Sequence, residues 1–260
     1  MKKYCFKVIV ALLFGGLSAC TSPQQPRPLL IATAANLQYA MRDLTAAFTA
    51  ESGIACELIL GSSGKLTAQI RAGAPYHVFL AADEQYAEAI FRAGLAAEPP
   101  ETFAYGQLIW WSVTQAIPED LTVLATDAVP HIAIAQPRTA PFGVAAVEAL
   151  QYLKLYEALE PKLVYGESVA QANQFVTTGA ATYGLTALST TRIPAYQETG
   201  QWVAVDTQAY QPIEQSVVTL TADELLRPQA VAFQRFLFSA PARAILRAHA
   251  YRLPANTPTQ

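Results

Sequence analysis

A repeated pattern constrains the fold of this chain most: a short β-type run, a turn of small polar residues, and then an amphipathic helix. The first copy begins with the β-type run at residues 29–34 and continues with apolar residues at helical spacing from Leu37 to Phe48. Asn36 stands at the predicted N-cap of this helix, and Gly53 follows its predicted end. The pattern predicts a βα unit.

Further copies of the unit follow along the chain. The sequence predicts strands at residues 54–60, 77–82, 131–135, 162–165, 183–188, 202–205 and 213–220, with a helical ending at 228–250. One aromatic-rich β-type run, residues 103–113, is followed by no helix, which is typical of a chain that crosses between two lobes. Repeated βα units require mostly parallel strands with helices on both faces, and ligands then bind beyond the carboxyl ends of the strands. Two α/β lobes or one doubly wound domain both satisfy this pattern.

The N-terminus indicates export. Lysines precede an apolar run at residues 8–17 that is too short to span a bilayer, and the run ends at Leu-Ser-Ala-Cys20. Residues 1–20 are therefore predicted to be a lipoprotein signal peptide with Cys20 as the lipidated residue, followed by a proline-rich tether at residues 21–28. The predicted location is periplasmic or at the cell surface, with the lipid on Cys20 as the membrane anchor.

Charge and residue types exclude several classes of function. The net charge is −3 and no basic patch is present, which argues against nucleic acid as a partner. The three histidines lie far apart without carboxylate or cysteine partners at ligand spacing, so a metal site is not predicted. In the mature chain Cys56 has no second free thiol with which to form a disulfide.

Four turns that open helices carry the candidate chemistry. They lie at residues 34–36, 61–64, 141–143 and 167–169. Bare N–H groups and the positive end of the helix dipole make a helix start suitable for an anion, and Asn36, Ser62 and Ser63 add neutral donors. Convergence of these turns would form an anion site without any cation.

Two other sets of residues could carry a function. Ser62 and Lys65 fit the S-x-x-K spacing of serine acylases, although the other motifs of those enzymes are absent. Trp110 and Trp111 are adjacent in a predicted strand, so they point to opposite faces and at most one of them lines a pocket.

Seven motifs, in order along the chain, resemble those of the periplasmic molybdate-binding proteins of ABC importers. They are Ala-Thr-Ala-Ala-Asn-Leu at 32–37, Gly-Ser-Ser-Gly-Lys-Leu at 61–66, Gln-Ile-Arg-Ala-Gly-Ala-Pro at 69–75, Val-Phe-Leu-Ala-Ala-Asp at 78–83, Pro-Phe-Gly-Val-Ala at 141–145, Glu-Ala-Leu at 148–150 and Glu-Ser-Val at 167–169. The resemblance covers residues 29–253.

The resemblance implies a Type II binding-protein fold with two α/β lobes, each a mixed, mostly parallel sheet, and a tetrahedral oxyanion in the cleft between them. The oxyanion-binding residues that it implies are Asn36 and Ser63 through their side chains, Phe142 and Val169 through backbone N–H groups, the neighbouring Ala35 and Ser62, and Ala187. Many family members have a tyrosine at the position of Ala187, so this chain departs from the family there. Molybdenum would enter only as the oxyanion, with no protein ligand on the metal.

The implied function is capture of molybdate or tungstate by a monomer that performs no covalent chemistry and needs no cofactor. Its partners would be the permease and ATPase subunits of an ABC importer. The predicted lobe boundaries are residues 29–107 with 214–260 for lobe 1, and 108–213 for lobe 2. A binding protein of the same fold for sulfate or a phosphonate stays open as an alternative. A donor-only pocket disfavours phosphate, because phosphate carries a proton near neutral pH.

Overall fold

The computed structural model describes residues 27–197 and 200–255. The predicted signal peptide, Cys20 and most of the tether lie outside the described residues. Within the described part, no helix has the length and apolar character needed to cross a bilayer.

Strands and helices alternate through most of the described chain. The strands are β1 Leu29–Ala34, β2 Cys56–Gly61, β3 Val78–Ala81, β4 Glu101–Gly106, β5 Leu108–Ser112, β6 Ile132–Ala135, β7 Leu163–Gly166, β8 Tyr183–Ala187, β9 Gln201–Ala204 and β10 Ile213–Thr219. The α-helices are α1 Gln38–Ser52, α2 Ser63–Arg71, α3 Glu84–Arg92, α4 Pro141–Tyr152, α5 Tyr156–Leu159, α6 Val169–Thr177, α7 Pro194–Gln197, α8 Arg227–Phe236 and α9 Ala240–Ala248.

The strands form two five-stranded mixed sheets. The first has the order β2-β1-β3-β10-β4, in which β1 runs parallel to β2 and β3 while β10 is antiparallel to β3 and β4. The second has the order β7-β6-β8-β5-β9, with β6 parallel to β7 and β8 and with β5 antiparallel to β8 and β9. The two sheets therefore repeat one arrangement. This confirms the predicted two-lobed α/β fold with a mixed sheet in each lobe.

The chain crosses from the first sheet to the second at Gln107. The single β-type run that the sequence predicts at residues 103–113 is divided in the structure between β4 and β5, which belong to different sheets. Leu108 marks the start of the second strand, and its N–H donates to the hydroxyl of Tyr210 at 3.0 Å. Because β5 is buried along its whole length, the apolar pattern alone does not reveal the break.

Several helices begin at a capping side chain, and one ends at a glycine. Ser62, Asp83 and Ser168 are N-caps of α2, α3 and α6, and each side chain accepts a backbone N–H of its own helix. Gly53 ends α1 with a φ of 73°, a left-handed conformation that glycine adopts without strain. The N-cap prediction for Asn36 is wrong, because this residue lies inside a 3-10 turn, Ala35–Leu37, and its side chain caps no helix.

The helical ending of the chain differs from its prediction. The predicted helix at residues 228–250 is in fact two helices, α8 and α9, separated by a turn in which Ser239 caps α9.

Trp110 and Trp111 are both buried and lie on opposite faces of the second sheet. Trp110 packs in the large core that contains Leu108, whereas Trp111 packs with Ile109 and Ala133. The prediction that the two rings point in opposite directions is confirmed. Both side chains therefore pack in the hydrophobic core.

His77 ties the start of β1 to the start of β3. Its Nδ1 accepts the N–H of Leu30 at 2.7 Å, and its Nε2 lies 3.8 Å from a carboxylate oxygen of Asp223, which also pairs with Arg27. Burial lowers the pKa of His77, the Asp223 carboxylate opposes this shift, and Arg27 adds to it. Protonation at Nδ1 would break the bond to Leu30, since a protonated nitrogen cannot accept.

Acidification should therefore lower the stability of the fold through His77. A histidine whose pKa is depressed by folding binds fewer protons in the folded than in the unfolded state, so its contribution is present above about pH 6.5 and is lost as the pH falls through its lowered folded value. We expect urea unfolding to show a loss of stability at acid pH that is smaller in His77→Asn, whose amide oxygen can accept without titrating. His131→Asn, an exposed histidine at the start of β6, is the control. Identical pH profiles for wild type and His77→Asn would contradict this account.

Candidate functional site

The structure brings the four helix-opening turns together around one small hollow between the sheets. The lining residues are Ala34, Ala35, Asn36, Ser62, Ser63, Ala82, Ala140, Pro141, Phe142, Ser168 and Val169. The residues from Ala34 to Ala82 lie at or after the ends of strands of the first sheet, and those from Ala140 to Val169 follow strands of the second. The cavity volume is about 10 Å³, so the helix starts lie close around it.

Two serines at the start of α2 face the hollow with their hydroxyl groups. The Oγ of Ser63 accepts the N–H of Ala82 at 2.9 Å, and the Oγ of Ser62 accepts the N–H of Lys65 at 3.4 Å. A hydroxyl has one proton to donate, and each of these oxygens already accepts a backbone hydrogen bond. The proton is thus the group that each serine has left for a ligand.

Backbone N–H groups from the second sheet's helices complete the set of donors. The α4 helix begins at Pro141, which has no N–H, so Phe142 carries the first one, and the α6 helix begins with the N–H of Val169. No described residue accepts a hydrogen bond from either N–H. Unsatisfied N–H groups in the first turn of a helix are where an anion binds.

The close approach of α4 to β6 depends on Gly143. A Cβ at this position would lie 2.3 Å from the carbonyl oxygen of Ala135, closer than real atoms approach. Only glycine therefore lets the first turn of α4, with the N–H of Phe142, reach the hollow.

The lining of the hollow carries no formal charge. Beside it, Lys65 and Glu167 form an ion pair at 2.6 Å, so their charges compensate. Asp83 caps α3 next to Ala82, and burial raises its pKa while the N–H groups of Tyr86 and Gln85 lower it. Among the described residues, no group of three or more His, Cys, Asp or Glu side chains is placed to hold a metal ion.

Asn36 lines the hollow, but its side-chain amide points away to other partners. The Nδ2 donates to Oε1 of Gln215 at 2.7 Å and to the hydroxyl of Tyr251 at 3.2 Å. Both Nδ2 protons are therefore used, and the expectation that this amide is a free donor is wrong in this arrangement. The backbone of Asn36 still borders the hollow. No local sequence pattern marks Gln215 and Tyr251 as partners of Asn36, because they lie 179 and 215 residues away along the chain.

Ala187 does not reach the hollow. It is the last residue of β8, where it pairs with Leu108 of β5, and it is buried. Of the predicted residues, the structure thus brings together Ala35, Asn36, Ser62, Ser63, Phe142 and Val169, and leaves out Ala187. Among the other lining residues, Ser168 is the polar one, and its N-cap position is the signal that could have identified it.

A second, larger cavity of about 130 Å³ adjoins the hollow and shares Ala35, Asn36 and Val169 with it. Its other walls include polar, uncharged side chains, among them Asn173 and Ser189.

Comparisons with known proteins agree with this geometry. Residues 29–252 match the family model for bacterial extracellular solute-binding proteins. The molybdate-binding protein ModA of Azotobacter vinelandii is 37% identical over 247 residues, which cover 94% of this chain and 97% of that protein. ModA of Rhodobacter capsulatus is 37% identical over 232 residues, covering 88% and 90% of the two chains.

A solved structure shows the same likeness. The periplasmic molybdate-binding protein of Azotobacter vinelandii superposes with a TM-score of 0.82 at 33% identity, over 87% of this chain and 100% of that one. These relationships confirm the resemblance carried by the sequence motifs. The chain belongs to the bacterial extracellular solute-binding proteins and, within them, to the family of the molybdate-binding proteins.

Proposed function

We propose that this protein captures molybdate or tungstate outside the cytoplasm and delivers it to the permease and ATPase subunits of an ABC importer. The observation that carries the proposal is the convergence of helix starts from both sheets on one uncharged hollow. The relatives with 37% identity, whose names state that they bind molybdate, support the choice of ligand.

A doubly negative oxyanion suits this hollow because its lining offers donors rather than charges. The hydroxyls of Ser62 and Ser63 and the N–H groups of Phe142 and Val169 are the proposed contacts, with the backbone at Ala35 and Asn36 beside them. Hydrogen bonds to a charged partner contribute about 1.5–3 kcal/mol each, and the positive ends of the helix dipoles add to this. No counter-charge is required, and binding needs no cofactor.

Discrimination among oxyanions follows from the same donors. A phosphate that keeps a proton near neutral pH would bring that proton against another donor and lose a hydrogen bond. Sulfate carries no proton and is excluded only by its smaller size. Selectivity for molybdate over sulfate therefore depends on the distance between the serine hydroxyls of the first lobe and the backbone N–H groups of the second.

The arrangement around Ser62 gives the serine acylase alternative no support. The Nζ of Lys65 pairs with Glu167 on the other side of the cleft, and the Oγ of Ser62 caps its own helix through the N–H of Lys65. A serine nucleophile needs a base beside its hydroxyl, and Lys65 does not take that position.

The proposal includes where the protein resides. We propose that a lipid on Cys20 anchors the mature chain to a membrane and that residues 21–28 act as a tether, which leaves a monomeric binding domain free to meet the importer. The family's extracellular location is consistent with this placement.

We further propose that the two sheets, each with its helices, act as lobes that close over the ligand. Contacts at the front of the cleft join them: the N–H of Gly64 donates to the carbonyl of Thr139 at 2.9 Å, and the hydroxyl of Tyr86 donates to the carbonyl of Arg138 at 3.2 Å. The Lys65–Glu167 ion pair lies in the same region, but both side chains are about half exposed, so it contributes little. We propose that the lobes part to admit the ion and close on it.

Calorimetry should show tight binding of molybdate and tungstate, weaker binding of sulfate and none of phosphate. Ser63→Ala should weaken molybdate binding by about 10- to 100-fold, since it removes one donor to a charged ligand.

Thr67→Ala is the matched control, because Thr67 is buried on the same helix and its hydroxyl donates to the carbonyl of Ser63 without lining the hollow. We expect its affinity to stay near that of the wild type. If sulfate bound tightly and molybdate and tungstate gave no heat, the proposed ligand would be wrong.

Gly64→Ala should impair closure without harming the fold. A Cβ at this position would meet the Cα of Thr139, in the other lobe, at 3.0 Å and the hydroxyl of Tyr86 at 3.0 Å. Alanine is favoured over glycine inside a helix by about 1 kcal/mol, so the melting temperature without ligand should not fall. We expect molybdate affinity to drop by about 10-fold, since the added Cβ would hold the backbones at Gly64 and Thr139 apart and so hinder closure of the lobes. Unchanged affinity would show that the lobes do not approach at Gly64 when the ligand binds.

A further inference from the structure

Four buried polar side chains form one hydrogen-bonded cluster behind the hollow. They are Asn36, Ser189, Gln215 and Tyr251. Three of them belong to the first lobe, whereas Ser189 lies in the 3-10 turn Leu188–Arg192 that follows β8 in the second lobe. The cluster therefore joins the lobes through the residue that borders the oxyanion site.

The orientation of each member is determined by its partners. The Nε2 of Gln215 donates to the carbonyl of Ile213 at 3.2 Å, so its Oε1 faces Asn36 and accepts from Nδ2 at 2.7 Å. The carbonyl of Asn36 then accepts from the hydroxyl of Tyr251 at 2.7 Å and from the Oγ of Ser189 at 3.1 Å. Asn36 is thus held by both its side chain and its backbone.

Burial makes these bonds costly to lose. Gln215 has no exposed surface, and the other three side chains are at most 8% exposed. Burial also raises the pKa of Tyr251 well above its usual range, so its hydroxyl stays neutral, and hydrogen bonds with Ser189 and Asn36 lower it only in part. A buried polar group that loses its partner is not compensated by water.

The cluster lies beside the point where the chain crosses between the lobes. Leu188, directly before Ser189, donates its N–H to the carbonyl of Gln107 at 2.8 Å. The residue after Tyr251 exchanges two backbone hydrogen bonds with Tyr105, in the strand that leads into the crossing. Both hydrogen-bond partners of the Asn36 carbonyl are therefore next in sequence to residues that bond to the crossing segment.

On the basis of the proposed function, we infer that Ser189 and Tyr251 are positioning residues for oxyanion binding. They do not line the hollow; they act through Asn36, which they hold from behind. Tyr251 fixes Asn36 within its own lobe in every state of the protein. Ser189 adds a bond from the second lobe that requires the closed angle between the lobes, so it stabilises the closed, ligand-bound form.

The two residues should therefore differ in what they change. Ser189→Ala removes a bond of the closed form, so we expect the rate of molybdate release to rise by about 3- to 10-fold while the association rate and the stability without ligand stay unchanged. Tyr251→Phe removes bonds that are also present without ligand, so both affinity and stability should fall. Because both hydroxyls bind the same carbonyl, the double variant should not show the sum of the two effects.

The matched control is Thr191→Ala. Thr191 lies in the same 3-10 turn as Ser189 and is buried, but its hydroxyl donates to the carbonyl of Leu188 within its own lobe. It should leave the release rate unchanged and lower only the stability.

The experiment is stopped-flow fluorescence of association and release, with sodium molybdate as the ligand, combined with urea unfolding of each ligand-free variant. A release rate of Ser189→Ala equal to that of the wild type or of Thr191→Ala would overturn the inference, as would a loss of ligand-free stability as large as that of Tyr251→Phe. If the wild type bound neither molybdate nor tungstate, the proposed function itself would fail and this inference with it. If the wild type bound normally and Ser189→Ala did not differ, only the inference would fail.

Discussion

The account depends on one electrostatic constraint: a buried dianion without a counter-charge needs several hydrogen-bond donors that are fixed in place before it arrives. Helix starts meet this need, because their first N–H groups have no partner within the helix. Parallel strands direct successive helix starts to the same edge of a sheet, and the two sheets face each other at those edges. The hollow is thus a consequence of the repeated βα unit and its duplication in two lobes.

The charged side chains near the hollow are paired, and the proposed contacts to the oxyanion are all neutral groups. Lys65 is compensated by Glu167, and Asp83 by the N–H groups of its own helix. This leaves dipoles and hydroxyl protons as the groups that face the hollow. Behind them, the neutral cluster around Asn36 holds its backbone in place and connects it to the hinge. Because the proposed contacts to the ligand are hydrogen bonds from neutral groups, release of the ligand does not require an ion pair between protein and ligand to be broken.

Much of this could be predicted from the sequence, because the deciding signals are local. Ser62 and Ser168 mark helix starts by residue type, Gly53 marks a helix end by its backbone conformation, and Pro141 followed by Phe142 and Gly143 marks the start of α4. Each is read from a few neighbouring residues, and the structure places the starts marked by Ser62, Ser168 and Pro141 at the hollow.

The predictions from sequence are wrong where residues far apart in the chain determine the direction of a side chain or the sheet that a strand joins. Asn36 looks like an N-cap in its local context, yet partners 179 and 215 residues away hold its amide in another direction. The break at Gln107 is hidden because β-type residues continue on both sides of it, although the two strands join different sheets. The assignment of Ala187 rested on alignment of a single position, and the pairing of β8 with β5 holds that residue away from the site.

The most direct test of the central claim is a crystal structure grown with sodium molybdate, with the metal located by its anomalous scattering. We predict one strong peak in the hollow, with the oxyanion within hydrogen-bond distance of Ser63 and of the N–H groups of Phe142 and Val169, and with no lysine or arginine nitrogen in contact with it. A peak outside the hollow, or an oxyanion paired directly with a cationic side chain, would contradict the account.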